Sequence, residues 1–254
     1  GDFYRLFVHW GHGGGERIPA WATRVVQDSS TGIFSAQVWD PKQPYTFRHT
    51  RPAKKANEPL LIYECHIGMS SEEGRVSTYR EFQEQVLPRI VDLGYNAIQI
   101  MAVQEHPYYG SFGYHVSSFF APSSRFGTPD ELKELIDTAH GLGLKVIMDL
   151  VHSHAVRNEV EGLACYDGSR TLFFHEGPRG DHPAWDSLCF DYGRNNVMHF
   201  LLSNCKYWLE NFNFDGFRFD GVSSMLYYNH GLGENFTCYA DYFNGLQDAD
   251  AMAY

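Results

Sequence analysis

The stretch DGFRFDGV, residues 215–222, combines charged side chains with Phe, Gly and Val. The alternation is typical of a short strand, in which Arg218 and Asp220 lie on one face and the two phenylalanines on the other. A buried Arg–Asp pair is costly unless it is tightly hydrogen-bonded. The pair is therefore either a structural ion pair or an arginine that keeps a catalytic carboxylate ionised.

A second carboxylate, Asp149, lies near the end of the apolar run KVIMDLV and is followed by His152 and His154. Two carboxylates at the ends of adjacent parallel strands suit glycoside chemistry, in which one attacks or stabilises an oxocarbenium-like centre. In the alternative interpretation, the carboxylates only cap loops and pair with Arg218 and His154. Spacing alone leaves both interpretations open.

Two other motifs are weaker indications of a functional site. His152 and His154 could ligate a metal, but spacing reveals no third or fourth ligand, so a non-metal role is favoured. The GHGGG run at 11–15 lacks the Lys-Ser/Thr ending and the following helix of a phosphate loop. Aromatic residues within 106–120 either stack on a substrate or pack the loop that contains them.

Alternating strands and helices must position these groups. Apolar strands and amphipathic helices are predicted at 60–67, 77–94, 96–103, 128–143, 145–151, 196–212 and 216–220. Strands that are apolar on both faces indicate an α/β fold with a parallel sheet. The long strand-to-helix links, 104–127 and 152–195, favour the first half of a (β/α)8 TIM barrel over an open doubly wound sheet. The first predicted strand is not followed by a GxGxxG motif, which weakens the nucleotide-binding form of the doubly wound sheet.

The composition restricts the partners and the compartment. A net charge of −11 argues against nucleic acid and anionic membranes as partners, and no apolar run approaches membrane-spanning length. The five cysteines are scattered, which favours reduced thiols and a cytoplasmic location. Residues 1–50 are predicted to be rich in β-strands, and residues 48–59 are predicted to be a linker.

Longer motifs carry a family resemblance. The segments GYNAIQIMAVQEH, SFGYHVSSFFAPSSRFGTPDELKELIDTAH, VIMDLVHSH and FDGFRFDGVSSMLY resemble those of 1,4-alpha-glucan branching enzymes, within the alpha-amylase superfamily of glycoside hydrolases. The resemblance covers nearly all of residues 58–254. Residues 1–50 resemble, more weakly, the end of the β-sandwich module that precedes the barrel in these enzymes. The resemblance therefore implies that residues 1–57 are the end of that module with a linker, and that residues 58–254 are the first half of the catalytic barrel.

The resemblance implies roles for five residues. Asp220 corresponds to the catalytic nucleophile and Arg218 to its neighbouring guanidinium. Tyr114, Asp149 and His154 correspond to residues around the sugar at the cleavage subsite. No cofactor is implied, and Ser153 replaces the asparagine that helps bind calcium in many amylases, so no metal is expected.

The implied reaction is a retaining double displacement on an alpha-1,4-glucan such as glycogen, amylose or amylopectin. A glycosyl ester would form on Asp220 and pass to a 6-hydroxyl, as in glycogen or starch biosynthesis. The family's acid/base glutamate follows a fifth strand, whereas the predicted strands end with the fourth, so the chain alone is expected to be inactive. An amylase or debranching hydrolase and a non-catalytic glucan-binding protein remain alternatives.

Overall fold

The computed structural model describes residues 1–53 and 57–254, which contain fourteen strands and six α-helices. The strands are β1 Phe3–Tyr4, β2 Leu6–Trp10, β3 Gly13–Arg17, β4 Val25–Gln27, β5 Phe34–Gln37, β6 Ile62–Cys65, β7 Ala97–Ile100, β8 Gln104–Glu105, β9 Ser118–Pro122, β10 Lys145–Leu150, β11 Ala155–Val156, β12 Asp181–His182, β13 Ser187–Leu188 and β14 Gly216–Phe219. The helices are α1 Tyr79–Gln85, α2 Leu87–Asp92, α3 Pro129–Gly141, α4 Asn195–Asn211, α5 Val222–Leu226 and α6 Ala249–Ala253.

The central sheet has four parallel strands in the order β14-β10-β7-β6. Its inner strand β10 pairs with β7 on one side and β14 on the other, and Val146, Met148 and Leu150 are fully buried. The four predicted strands and their parallel pairing are therefore confirmed, as is the α/β class. All four strands end at the same edge, where the long loops begin.

The helices begin where the sequence places their caps. Thr78 and Thr128 each accept a hydrogen bond from the backbone of the glutamate three residues on, forming the two predicted capping boxes. The predicted helix 77–94 is divided into α1 and α2 at Val86, because Pro88 has no N–H to continue the hydrogen-bond ladder.

Two hydrophobic cores support the carboxyl edge of the sheet. One packs β7 and β10 against the helices, with Phe82, Leu135 and Trp208 fully buried. The other lies under the long loops and joins Phe119 and Phe190 to α4. The loops are thus packed structures with their own strands, β8 and β9 in the first and β11–β13 in the second.

The amino-terminal segment packs against the rest of the chain. An antiparallel sheet, β1-β5-β4, buries Val25, Phe34 and Ala36 with Ala121 of β9. The buried Asp137 of α3 accepts hydrogen bonds from the Tyr45 hydroxyl and from the backbone N–H groups of Arg48 and His49. Those last two residues begin the predicted linker at 48–59, of which residues 54–56 lie outside the described part.

The helices and cysteines of the chain bear on its environment. Within the described residues, no helix is both long enough and apolar enough to cross a membrane. All five cysteines are described, and none of them forms a disulfide, in agreement with the prediction of free thiols.

Candidate active site

The carboxyl ends of β10 and β14 bring the predicted charged residues together. Asp149 is the register partner of Arg218, and both project from the same edge of the sheet. The Arg218 Nη1 donates to both carboxylate oxygens of Asp149, at 2.9 and 3.0 Å, and to Asp220 Oδ1 at 2.7 Å. One guanidinium nitrogen therefore bridges the two carboxylates.

Gly221 turns the chain directly after Asp220. Gly221 has a φ of +62° and ends the strand in a left-handed turn that leads into α5. A Cβ at this position would lie 2.6 Å from Ser153 Oγ. Only glycine fits there, and this close approach keeps Asp220 beside the loop that follows β10.

The two carboxylates differ in burial. The side chain of Asp149 is fully buried, whereas that of Asp220 is 21% exposed and that of Arg218 is 43% exposed. The expectation of a buried Arg–Asp pair is therefore wrong for Arg218 and Asp220, because β14 is an edge strand of the sheet in the described residues. Asp149 is therefore a buried hydrogen-bond partner of Arg218, whereas Asp220 is partly accessible to solvent.

The electrostatics follow from these contacts. Burial raises the pKa of Asp149, although hydrogen bonds from Arg218 and Tyr114 oppose the shift. Burial lowers the pKa of Arg218, but its bonds to the two aspartates outweigh that effect and raise it overall. Arg218 is therefore a permanent cation between two acids.

Tyr114 joins the first long loop to β10 and to the second loop. Its hydroxyl donates to Asp149 Oδ2 at 2.8 Å, and its backbone carbonyl lies 2.9 Å from His154 Nε2. Burial, together with Asp149, raises the pKa of Tyr114, so its hydroxyl keeps its proton. Tyr114 thus fixes both a buried carboxylate and a histidine ring.

His154 is neutral and has partners at both ring nitrogens. Burial lowers its pKa to about 4. The Tyr114 carbonyl requires a proton on Nε2, so Nδ1 accepts a hydrogen bond from Ser153 Oγ at 2.8 Å. A sugar hydroxyl that bonds to His154 would have to displace one of these partners.

His152 points in a different direction. Its ring is buried and lies 2.5 Å from the Tyr254 hydroxyl and 2.9 Å from Asn204 Oδ1. The two histidines do not share a face, because β10 ends at Leu150 and the extended geometry stops there. Among the described residues, no three or more His, Cys, Asp or Glu side chains are grouped to hold a metal ion.

A cavity of about 620 Å³ opens above this group. It is lined by Ser111, Tyr114, His115, His154, Pro183, Ala184, Trp185, Asp186 and Asp220. Of the five predicted site residues, Tyr114, His154 and Asp220 reach the cavity, while Asp149 and Arg218 support them. His115 and Trp185 were not predicted as site residues, and only the length of their loops pointed to them.

Comparisons with known proteins agree with the motifs. The family model described as alpha amylase, catalytic domain, matches residues 84–174. A 1,4-alpha-glucan-branching enzyme from Equus caballus is 54% identical over 239 residues, which cover 94% of this chain and 34% of that protein. One from Emericella nidulans is 54% identical over 242 residues, covering 94% of this chain and 35% of that protein.

A solved structure is also similar to this chain in its fold. A crystal structure of a protein from Salmonella typhimurium, assigned as an alpha amylase, matches with a TM-score of 0.68 and 28% identity. The match covers 83% of this chain and 33% of that one. The described fold is therefore similar to the fold of this structure over most of the chain.

The chain is similar over most of its length to 1,4-alpha-glucan-branching enzymes, as the motifs predicted. It spans about a third of the length of the curated relatives that it matches.

Proposed function

We propose that the protein is a 1,4-alpha-glucan-branching enzyme and that Asp220 is its nucleophile. The observation that carries the proposal is the bridge from Arg218 to both carboxylates, which directs Asp220 towards a sugar-sized cavity. The similarity to branching enzymes over 94% of the chain supports the same reaction.

In the first step, a carboxylate oxygen of Asp220 attacks C1 of a glucosyl unit, and the C1–O4 bond breaks. The departing O4 takes a proton from a general acid, a role that the family resemblance gives to a glutamate after a fifth strand. In the second step, the 6-hydroxyl of another glucan attacks C1 and gives its proton to the same glutamate, now a carboxylate, while the ester bond to Asp220 breaks. Two inversions leave the alpha configuration unchanged.

The neighbouring residues position the nucleophile. Arg218 holds one oxygen of Asp220, so the carboxylate presents its other oxygen to the sugar. When both carboxyls are ionised, the Asp149–Arg218–Asp220 group carries one net negative charge, which stabilises an oxocarbenium-like transition state. Tyr114 and His154 line the cavity beside it and contact the bound sugar.

We also propose the finer architecture. The four parallel strands with long loops at their carboxyl ends support a first half of a (β/α)8 barrel. The antiparallel strands within residues 1–57 support the end of a β-sandwich module, and residues 58–254 form the barrel half. The substrate is an alpha-1,4-glucan, no cofactor is needed, and free cysteines support a cytoplasmic role in glycogen or starch synthesis.

The test uses the product of the complete gene with amylose as substrate. A branching enzyme lowers the iodine colour with little rise in reducing ends, and isoamylase then releases short chains from the product. If reducing ends rise in step with the loss of colour, the protein is a hydrolase. That second candidate is favoured by the alpha-amylase family match and by the Salmonella typhimurium structure.

A further inference from the structure

One wall of the cavity is the tip of a hairpin. Strands β12 and β13 pair through Asp181–Leu188 and His182–Ser187, and the four residues between them, 183–186, all line the cavity. Arg170 holds the hairpin base through Asp181 at 2.8 Å, and Arg157 holds its tip through Asp186 at 3.0 Å. The hairpin is therefore a fixed wall.

Trp185 is the aromatic residue at this tip. One face of its ring stacks on His182, with centroids 3.8 Å apart and planes 8° apart, and His154 lies 5.0 Å away. The buried His182 is held in turn, with its Nε2 2.8 Å from Ser224 Oγ. Trp185 is nevertheless 37% exposed, so part of its ring faces the cavity.

Trp185 also lines a second cavity, of about 500 Å³. Its walls include His182, Arg218, the start of α5 and residues 230–232. Among the described residues that line these cavities, Trp185 is the one that both share, and a Cβ on Gly221 would lie 3.1 Å from its Cη2. Trp185 thus belongs to the walls of both cavities and lies directly beside the residue that follows Asp220.

We propose that Trp185 is a glucan-positioning residue that separates the transferred glucosyl unit, in the cavity with Asp220, from the acceptor glucan, in the second cavity. This inference rests on the proposed branching reaction. A rigid indole presents a large apolar surface at little entropic cost, and the apolar face of a glucose ring fits against such a surface. The same ring limits the access of water to Asp220, which favours transfer over hydrolysis.

The first test is binding, and it requires no turnover. Maltoheptaose is added to the complete gene product while tryptophan fluorescence is recorded, and Trp21 serves as the control because it is exposed but packs on Phe120, outside both cavities. We expect the wild type and Trp21→Phe to change their emission on binding, and Trp185→Phe to lose most of that change. A full change in Trp185→Phe, or none in the wild type, would overturn the inference.

The second test measures products of the complete gene product on amylose. Trp185→Ala should raise the ratio of new reducing ends to new branches about tenfold, whereas Trp185→Phe and Trp21→Ala should keep the wild-type ratio. Circular dichroism verifies that each variant is folded. If the wild type makes no branches, the proposed function fails and the binding test still decides on Trp185. If the wild type makes branches and Trp185→Ala keeps the wild-type ratio of reducing ends to branches, the proposed role of Trp185 is wrong and the proposed branching function stands.

Discussion

Arg218 donates from a single nitrogen to both Asp149 and Asp220, and this sharing gives the two acids different tasks. The side chain of Asp149 is fully buried and pairs with Arg218, so it holds the arginine in place. Asp220 keeps 21% of its side chain exposed and borders the cavity. The buried acid positions the cation, and the cation positions the reactive acid.

Replacing Asp220 by asparagine should abolish turnover of the complete gene product and leave its fold intact. An amide cannot form the glycosyl ester, and loss of a nucleophile costs at least about 10⁴-fold in rate. Branching assays measure the rate, and circular dichroism verifies the fold.

Asp215→Asn is the matched control, because it makes the same change at the opposite end of β14. Asp215 accepts hydrogen bonds from His140 and from the backbone of Val146, far along the strand from the cavity. This variant should lower stability and keep activity. If Asp220→Asn retained a tenth of the wild-type rate, about the effect of 1.4 kcal/mol, Asp220 would be structural.

His154 should make the protein less stable in acid. Its pKa is about 4 in the folded chain against 6.5 in the unfolded chain, so unfolding takes up a proton between those pH values. Its contribution to the free energy of unfolding is complete above about pH 6.5 and falls with pH by at most about 1.4 kcal/mol per unit. His154→Gln should remove this component.

Urea unfolding of the wild type and of His154→Gln from pH 4 to pH 7 measures the difference. Carboxyl groups such as Asp149 and Glu105 titrate in both proteins, so the difference isolates the histidine. His12→Gln, on an exposed turn, is the control and should reproduce the wild-type profile. Parallel profiles for wild type and His154→Gln would show that the ring is not desolvated.

At the scale of elements, the helix caps offer a direct stability test. Thr128 caps α3 through its side chain, and Thr128→Ala should cost about 1 kcal/mol of unfolding free energy. Thr138→Ala, within the same helix, removes the same atoms where alanine has the better helix propensity, so it should cost less. Denaturant unfolding compares the two, and equal costs would contradict a specific capping effect.

Periodicity and capping residues predicted the strands and helices well, because both depend on neighbours a few residues apart. The break at Val86 was also foreseeable, since Pro88 acts locally. The hairpin that presents Trp185 was not predicted, because its strands are two residues long and depend on pairing with β11 and on two distant arginines. The burial of Asp149 and the exposure of Arg218 likewise depend on the order of the strands.

At the scale of the whole molecule, the central sheet has two open edges within the described residues, β6 and β14. Leu60, Leu61 and Ile62 at the β6 edge are 48%, 52% and 42% exposed. Exposed apolar edge strands pair with other chains. The chain of residues 1–254, expressed alone, should therefore self-associate, melt without a cooperative transition and show no branching activity.

Leu61→Lys should reduce this association, because a charged edge resists pairing. Leu142→Lys is the matched control, since Leu142 is 42% exposed at the end of α3, which leads into the inner strand β10. Sedimentation velocity at several concentrations compares the three proteins. A monomeric wild-type chain with a sharp melting transition would show that the edges are protected.

The two bonds of Tyr114 have a thermodynamic consequence for the molecule as a whole. Through its hydroxyl and its carbonyl, this residue already links the first loop to Asp149 and to His154. A glucan therefore meets loops that need little ordering, and binding bears little of the entropic cost of coupled folding. The heat-capacity change on binding should accordingly be small, reflecting only the apolar surface that the sugar and the cavity cover.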